Sequence, residues 1–116
     1  MKSENYSKGK VGEETAVEFL KRKKYKIIDR NVKTPCGEID IISTVKDTYV
    51  FVEVKSRKTD KFGLPQESVT PYKQNRLRRS ALFYLQAKDA LDSKCRFDVI
   101  AIIESKGDIT HIENAF

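Results

Sequence analysis

One short segment, residues 49–55 (YVFVEVK), constrains the fold most. Such a valine-rich run is typical of a strand buried inside a sheet. Alternate residues of a strand share a face, so Glu53 and Lys55 lie side by side while the valines face the other way. Unpaired charge is costly in such surroundings. The pattern therefore predicts a site whose missing partner is a metal ion or a phosphate.

Length and charge limit the class of protein. The 116 residues suit a single domain over residues 1–116, with a flexible stretch expected over residues 1–8. The net charge of +6 and the pI near 9.3 favour a polyanionic partner, such as nucleic acid or an anionic membrane surface. The first twelve residues lack the apolar core of a signal peptide, and no apolar stretch is long enough to span a membrane. We therefore expect a cytoplasmic protein without a membrane partner.

The scarcity of histidine and cysteine restricts the chemistry. His111 is the single histidine, and Cys36 and Cys95 are the two cysteines. These residues are too few for a zinc site of the usual kind, and no nucleophile elbow or glycine-rich phosphate loop is present. Two cysteines do not make a disulfide framework, so reduced thiols are expected. Any chemistry should rest on carboxylates, lysines and a hard metal.

Apolar periodicity and turn signals predict an α/β domain with the order αβββαβ and a candidate further strand. The predicted helices cover residues 9–24 and 71–88. The predicted strands cover residues 25–30, 38–43, 49–56 and 96–103, with residues 109–112 as the addition. Thr70 and Pro71 are a typical helix start. Residues 57–69 lack periodicity and are predicted to form a mobile loop.

The second predicted strand carries acids within an apolar stretch. Strict alternation places Glu38, Asp40 and Ile42 on one face, and Ile39 and Ile41 on the other. The apolar residues on both faces indicate a central strand. A carboxylate in such a strand is unusual, which makes Asp40 a candidate site residue.

Pairing of the second and third strands would bring the candidate residues together. Asp40 would then lie beside Glu53 and Lys55, and Glu13 falls on the apolar stripe of the first helix, so it faces inwards. Carboxylates of this kind bind Mg²⁺ or Mn²⁺, which activates water and neutralises charge on phosphoryl oxygens. A lysine beside them can orient the water or stabilise that charge. The group predicts metal-assisted hydrolysis of phosphodiester bonds.

Simpler explanations remain open for these charges. Glu53 and Lys55 could form an ion-pair ladder on a solvated face. Asp98 could be a further ligand, or it could pair with Arg57 or Arg96. Glu13 could complement the dipole at the start of its helix.

Basic residues in two places are predicted to contact nucleic-acid phosphates. They are Arg57 and Lys58 after the third strand and Lys73, Arg76, Arg78 and Arg79 along the second helix, and the neutral Gln74 is predicted to contact phosphate with them. Lys73 and Gln74 lie at the helix start, where phosphate binding and an ordinary solvated turn are both open.

Several motifs carry a resemblance to a known family. They are Gly12-Glu13 with Ala16, Arg30-Asn31, Gly37-Glu38-Ile39-Asp40, residues 51–57 (FVEVKSR), Lys73-Gln74 and residues 96–99 (RFDV). In this order and spacing the chain resembles the YraN family of small bacterial proteins, from about Gly9 to the end. That family resembles restriction-endonuclease-like nucleases, archaeal Holliday junction resolvases in particular. The resemblance implies a central mixed β-sheet flanked by α-helices.

The resemblance also implies roles for matching residues. Glu13 is similar to the acid on the first helix, Asp40 to the central metal ligand and Glu53 to the second ligand. Lys55 is similar to the catalytic lysine, and the carbonyl of Val54 corresponds to a backbone group that often binds the metal in that superfamily.

The resemblance places a helix glutamine near the site at Gln74 and implies a magnesium-dependent endonuclease acting on DNA. Branched and repair intermediates are the candidate substrates, and a homodimer would supply paired active sites. Two alternatives stay open because a fold does not establish a function. They are a nucleic-acid-binding module with a vestigial acidic site and a protein-interaction subunit in DNA repair or uptake.

Overall fold

The computed structural model describes the backbone of residues 2–116 and the side chains of residues 11–116. The helices are α1 (Lys2–Arg22) and α2 (Pro71–Ala87), with a short 3-10 helix at Pro65–Ser68. The strands are β1 (Lys26–Thr34), β2 (Gly37–Val45), β3 (Thr48–Arg57), β4 (Lys94–Ile103) and β5 (Asp108–Ile112).

The five strands form one mixed sheet in the order β1-β2-β3-β4-β5. Neighbouring strands are antiparallel except β3 and β4, which are parallel. A parallel pair needs a crossover connection, which the segment containing α2 supplies. The predicted α/β class and its element order are confirmed, and β5 is the additional strand. The arrangement is consistent with a restriction-endonuclease-like fold.

The two helices cover opposite faces of the sheet. On one face, α1 and the sheet share the buried residues Ala16, Val17, Leu20, Ile41, Val50 and Val52. On the other face, α2 and the sheet share Ile39, Ile42, Phe51, Leu77, Ala81, Tyr84 and Leu85. Because valines alternate with Phe51 along β3, both faces of that strand are buried, as its sequence predicts.

The element ends differ in part from the predicted ones. α1 begins at Lys2, before the predicted start at Gly9; the side chains of the stretch expected to be flexible, residues 1–8, lie outside the described part. α2 begins as predicted, because the Thr70 side chain accepts a hydrogen bond from the Lys73 N–H at 3.3 Å. The segment 57–69 includes the 3-10 helix, which was not predicted. No helix within residues 2–116 is long and apolar enough to cross a membrane.

The prediction of strict alternation along β2 is wrong at one place. Ile39 packs beneath α2 together with Ile42, whereas Ile41 packs beneath α1. The alternation changes at Asp40, which lies opposite Asn31 of β1, and these two residues are not paired in the β1–β2 ladder. Asn31 has a φ of 50°, in the left-handed region. A local irregularity of this kind turns a strand about its axis. It changes which way the residues around Asp40 face.

Candidate metal centre

β2 and β3 separate at one end of the sheet, and we call this gap the fork. Their ladder runs from the pair Val45–Thr48 to the pair Ile41–Val52. Beyond it, residues 37–39 pair with β1 and residues 53–57 pair with β4. One further step of the same register sets Asp40 beside Glu53. The two carboxylates therefore stand where backbone pairing between the strands ends.

The Asp40 side chain replaces one of the backbone hydrogen bonds that are missing between β2 and β3 at the fork. Its Oδ2 accepts a hydrogen bond from the Val54 N–H at 2.8 Å. The N–H and C=O of one strand residue point to the same side, so the Val54 carbonyl also points towards the fork. The fork thus offers carboxylate and carbonyl oxygens, which are the ligands that Mg²⁺ prefers.

The electrostatic surroundings of Asp40 favour a cation. Burial raises the pKa of its carboxyl to about 8, and the negative charges of Glu53 and Glu13 raise it as well. The hydrogen bond from the Val54 N–H opposes this shift because it stabilises the carboxylate. Without a cation, Asp40 therefore retains a proton near neutral pH. A bound divalent ion would remove that repulsion.

Lys55 supplies the positive charge nearest to these acids. Its Nζ lies 3.3 Å from Oε2 of Glu53, and the two side chains are only 24% and 18% exposed. Such burial does not match an ion-pair ladder on a solvated face. The Lys55 ammonium is instead held at the fork beside the Glu53 carboxylate.

Glu13 approaches the same cleft from α1. A Cβ added to Gly12 would lie 3.5 Å from the Cβ of Ser56, so α1 and the end of β3 are in close contact. Oε1 of Glu13 accepts a hydrogen bond from Nδ2 of Asn31 at 2.8 Å. The sequence did not single out Asn31 as a site residue. The signal that was available is the Arg30-Asn31 motif of the family resemblance.

Two cavities meet at the fork. The larger, which we call the cleft, has a volume of about 500 Å³. It is lined by Gly12, Glu13, Asp40, Glu53, Val54, Lys55, Ser56, Lys58 and Glu104. The smaller, which we call the α2 cavity, has about 230 Å³ and is lined by Gly37, Glu38, Glu53, Val69, Lys73, Arg76, Leu77 and Ser80. Because Glu53 lines both, the two cavities adjoin at this residue.

Some of the basic residues predicted to bind phosphate lie at these cavities. Lys58 lines the cleft, and Lys73 and Arg76 line the α2 cavity. Arg76 is held in place because its Nε donates to the carbonyl of Cys36 at 2.9 Å. Arg57 is half-buried at the end of β3. The cations nearest to the fork are therefore Lys55, Lys58 and those of the first turns of α2.

The remaining predicted contacts point to other neighbours. Nε2 of Gln74 donates to the carbonyl of Val69 at 3.1 Å, and its side chain lines a different cavity, beside Phe116. The Arg78 guanidinium lies over the ring of Phe116, with its Cζ 5.2 Å from the ring centroid. Arg79 is exposed on α2. Gln74 thus contacts the loop before α2, and Arg78 packs against Phe116.

The oxygen set at the fork suits a partly hydrated ion. Within residues 11–116, no three His, Cys, Asp or Glu side chains are close enough to surround one metal ion. Mg²⁺ commonly binds through one or two carboxylates and keeps several water molecules. Asp40, Glu53 and the Val54 carbonyl fit that mode, whereas a complete protein cage is not present in this part of the chain.

Asp98 lies in a different place and serves the fold. It is fully buried, and its Oδ1 and Oδ2 accept hydrogen bonds from Nε and Nη2 of Arg96, both at 2.9 Å. The Asn114 N–H donates to Oδ1 at 3.0 Å, and Nε2 of His111 lies 2.7 Å from Oδ2. Of the two predicted alternatives for Asp98, the structure therefore supports pairing with Arg96.

His111 links this buried acid to α1. Nζ of Lys23 lies 2.7 Å from Nδ1 of His111. A lysine ammonium can only donate, so Nδ1 accepts and Nε2 carries the hydrogen that faces Asp98. Burial alone would favour the neutral acid, but the hydrogen bonds from His111, Arg96 and Asn114 outweigh it and lower the pKa of Asp98 to about 2.

Similarity to known proteins agrees with the motifs. A family described as uncharacterised protein family UPF0102 matches residues 12–102. The chain belongs to the UPF0102 family. The resemblance to YraN proteins is thereby confirmed. The matched region contains the fork, the whole of α2 and every residue that lines the two cavities except Glu104.

The UPF0102 relatives are similar over nearly their full lengths. A UPF0102 protein from Geotalea daltonii is 48% identical over 118 residues, which cover 99% of this chain and 93% of the relative. A UPF0102 protein from Syntrophomonas wolfei is 42% identical over 114 residues, which cover 97% of this chain and 99% of the relative.

Proposed function

We propose that this UPF0102 protein is a metal-dependent endonuclease that hydrolyses phosphodiester bonds in DNA. The observation that carries the proposal is the fork, where Asp40 lies beside Glu53 and Lys55 in an open cleft. An acid pair with a lysine suits a phosphate substrate better than a neutral one, particularly beside the basic residues Lys58, Lys73 and Arg76, which we call the basic wall.

Each residue of the fork has a separate role in the proposed reaction. Asp40, Glu53 and the Val54 carbonyl would hold Mg²⁺ or Mn²⁺, which supplies activation of water and neutralisation of phosphoryl charge. Lys55 donates hydrogen bonds to a phosphoryl oxygen as negative charge builds on it. Glu13, oriented by Asn31, can accept a hydrogen bond from the attacking water and so align it.

The charges around the fork suit a nucleic-acid strand. Lys58 lies on the cleft, and Lys73 and Arg76 lie on the α2 cavity, so a strand crossing the fork would have cations on both sides. Branched and repair intermediates remain the candidate substrates, and a two-fold dimer would present two such clefts. The cysteines, Cys36 and Cys95, are free, which agrees with a cytoplasmic enzyme.

Cleavage of a substrate panel tests the proposal. Linear duplex, flapped, single-stranded and four-way DNA are incubated with Mg²⁺ or Mn²⁺, and with chelator. Wild-type protein is expected to cut at least one substrate in a metal-dependent way, and Glu53→Ala is expected to bind but not cut. Glu18→Ala, which removes an exposed carboxylate of α1, is the matched control and should retain activity.

A binding module without hydrolysis is the second candidate. It is favoured by the lack of a group of three metal-binding side chains within residues 11–116. If well-folded wild-type protein binds DNA but cuts no member of the panel with either metal, the binding module replaces the nuclease. Protein that neither binds nor cuts DNA would favour a protein-interaction role.

Salt dependence tests the basic wall separately from catalysis. The double substitution Lys73→Gln and Arg76→Gln is expected to lower the slope of log affinity against log salt by about 2, since each phosphate contact contributes about 0.9. Fluorescence anisotropy with labelled DNA measures this slope. The control pair, Lys26→Gln with Lys46→Gln, lies at the end of the sheet remote from the fork. An equal loss of slope in both pairs would remove the basic wall from the proposal.

A further inference from the structure

Two aromatic side chains are exposed beyond what the fold explains. Phe62 is 87% exposed and Tyr72 is 69% exposed, the highest values among the large apolar side chains of residues 11–116. Neither residue belongs to a core cluster on either face of the sheet. Exposure of a phenyl ring to water is unfavourable, so an ordered ring in this position suggests a ligand that covers it.

Phe62 is held outwards by a hydrogen-bonded turn. The Gly63 N–H donates to the Asp60 carbonyl at 3.2 Å, which closes the turn around Phe62. Nζ of Lys106 lies 2.8 Å from Oδ2 of Asp60 and ties the turn to the loop after β4. After the turn, the Leu64 N–H donates to Oε1 of Glu67 at 3.1 Å. The ring is therefore presented by a segment with defined hydrogen bonds.

Each exposed ring has a cation beside it. Nζ of Lys61 lies 5.8 Å from the centroid of the Phe62 ring, and Cζ of Arg76 lies 5.8 Å from the centroid of the Tyr72 ring. An aromatic face next to a positive charge is the combination that binds single-stranded nucleic acid, because bases stack on the ring and phosphates contact the cation.

The segment that carries both rings flanks the fork. It leaves the end of β3 at Lys58, which lines the cleft, and it returns through Val69 to Lys73, which both line the α2 cavity. Glu53 lies on both cavities. A strand of nucleic acid at the fork would therefore run beside this segment.

We propose that Phe62 and Tyr72 are stacking positions for unpaired bases, so that the preferred substrate is DNA with a single-stranded part beside the cleft. The proposal deepens the proposed function and rests on it for the position of the cut. Bases of an intact duplex are stacked inside the helix and cannot use these rings, so discrimination against duplex DNA follows from the same contacts.

A tryptophan reporter tests the stacking directly. The chain contains no tryptophan, so Phe62→Trp introduces a single fluorophore. In the presence of chelator, a single-stranded oligothymidine is expected to quench its emission strongly, and a duplex of equal length is not. Phe83→Trp is the matched control: Phe83 is 45% exposed and lies roughly 16 Å further along α2 than Tyr72, so its emission should not change.

Affinities test the same contacts without a reporter. Phe62→Leu and Tyr72→Leu are each expected to weaken binding of single-stranded DNA about tenfold and of duplex by less than about twofold, while Tyr72→Phe keeps the wild-type affinity. Absent binding of single-stranded DNA, quenching by duplex equal to that by single strand, or unchanged affinity in both leucine variants would each overturn the stacking proposal.

The chelator separates this proposal from the proposed function. Quenching by single-stranded DNA without cleavage of any substrate would overturn the nuclease and leave the stacking positions supported. Metal-dependent cleavage with no quenching of the Phe62→Trp emission would support the nuclease and overturn the stacking positions.

Discussion

Asp40→Asn is expected to lower DNA cleavage by about a thousandfold and, at the same time, to stabilise the protein near neutral pH. The loss of cleavage follows because an amide is a poor ligand for Mg²⁺ compared with a carboxylate, and removal of one electrostatic contact of this kind typically costs two to three orders of magnitude. The asparagine introduced there would retain an oxygen that can accept the hydrogen bond from the Val54 N–H. The substitution therefore removes charge with little change of shape.

The gain in stability follows from the direction of the pKa shift. The pKa of Asp40 is raised to about 8 in the folded protein, from 3.8 in the absence of the fold. Between these values the folded state holds a proton that the unfolded state has lost, so the free energy of unfolding falls as pH rises. The penalty is absent below about pH 4 and complete above about pH 8. Asp40→Asn lacks this penalty and should gain on the order of 5 kcal/mol in free energy of unfolding at pH 8.

Urea unfolding at several pH values, with and without Mg²⁺, measures the effect. The difference between variant and wild type should grow from pH 4 to pH 8, and Mg²⁺ should stabilise wild type but not the variant, because an ion bound only by the folded state stabilises it. Asp108→Asn, at an exposed position of β5, is the control and should show neither effect. A variant less stable than wild type at pH 8 would contradict the electrostatic description of the fork.

Asp98→Asn is expected to destabilise the protein by about 3–5 kcal/mol, a large share of the stability of a small domain. The substitution leaves the half-buried Arg96 beside an amide that cannot balance its charge. It also places an amide donor among the donors from His111 and Asn114. Unlike Asp40→Asn, this change should lower activity only through loss of folded protein.

The pH dependence of Asp98→Asn has the opposite sign from that of Asp40→Asn. The pKa of Asp98 is lowered to about 2, so its contribution to stability is fully present above about pH 4 and is lost as pH falls through 2. The gap between wild type and variant should therefore be constant near neutral pH and narrow in acid. Asp47→Asn, which breaks the exposed pair with Lys94, is the control and should change the melting temperature little. An equal effect of both substitutions would contradict the buried network.

Much of the fold was predictable because its signals are local. The valine-rich β3 has both faces buried, so its sequence is apolar from Tyr49 until Glu53. The start of α2 depends on Thr70 and Pro71, which act within one turn of helix. The pairing of Asp40 with its neighbour on β3 followed from a hairpin with a short turn, whose register depends on few residues.

The errors arose where distant parts of the chain meet. Ile39 lies on the same side of the sheet as Ile42, against the predicted alternation, where the ladder to β1 is interrupted opposite Asn31, and no pattern within β2 indicates this. The contact of Gln74 with the Val69 carbonyl was likewise not readable from spacing, and its expected role near the site stays a prediction. Helix phase relative to a sheet depends on tertiary packing and not on spacing along the chain.

By itself, the sequence determined the layer architecture and the identity of the acids and the lysine on neighbouring strands, because periodicity and hairpin register act over short distances. Tertiary structure alone decided that β2 and β3 part at Ile41 and Val52, which opens the fork, and that burial raises the pKa of Asp40. It also decided that Asp98 joins Arg96 and His111 in the interior and that Phe62 stands in solvent. Burial, charge crowding and exposure are sums over residues far apart in the chain, so they exist only once the chain has folded.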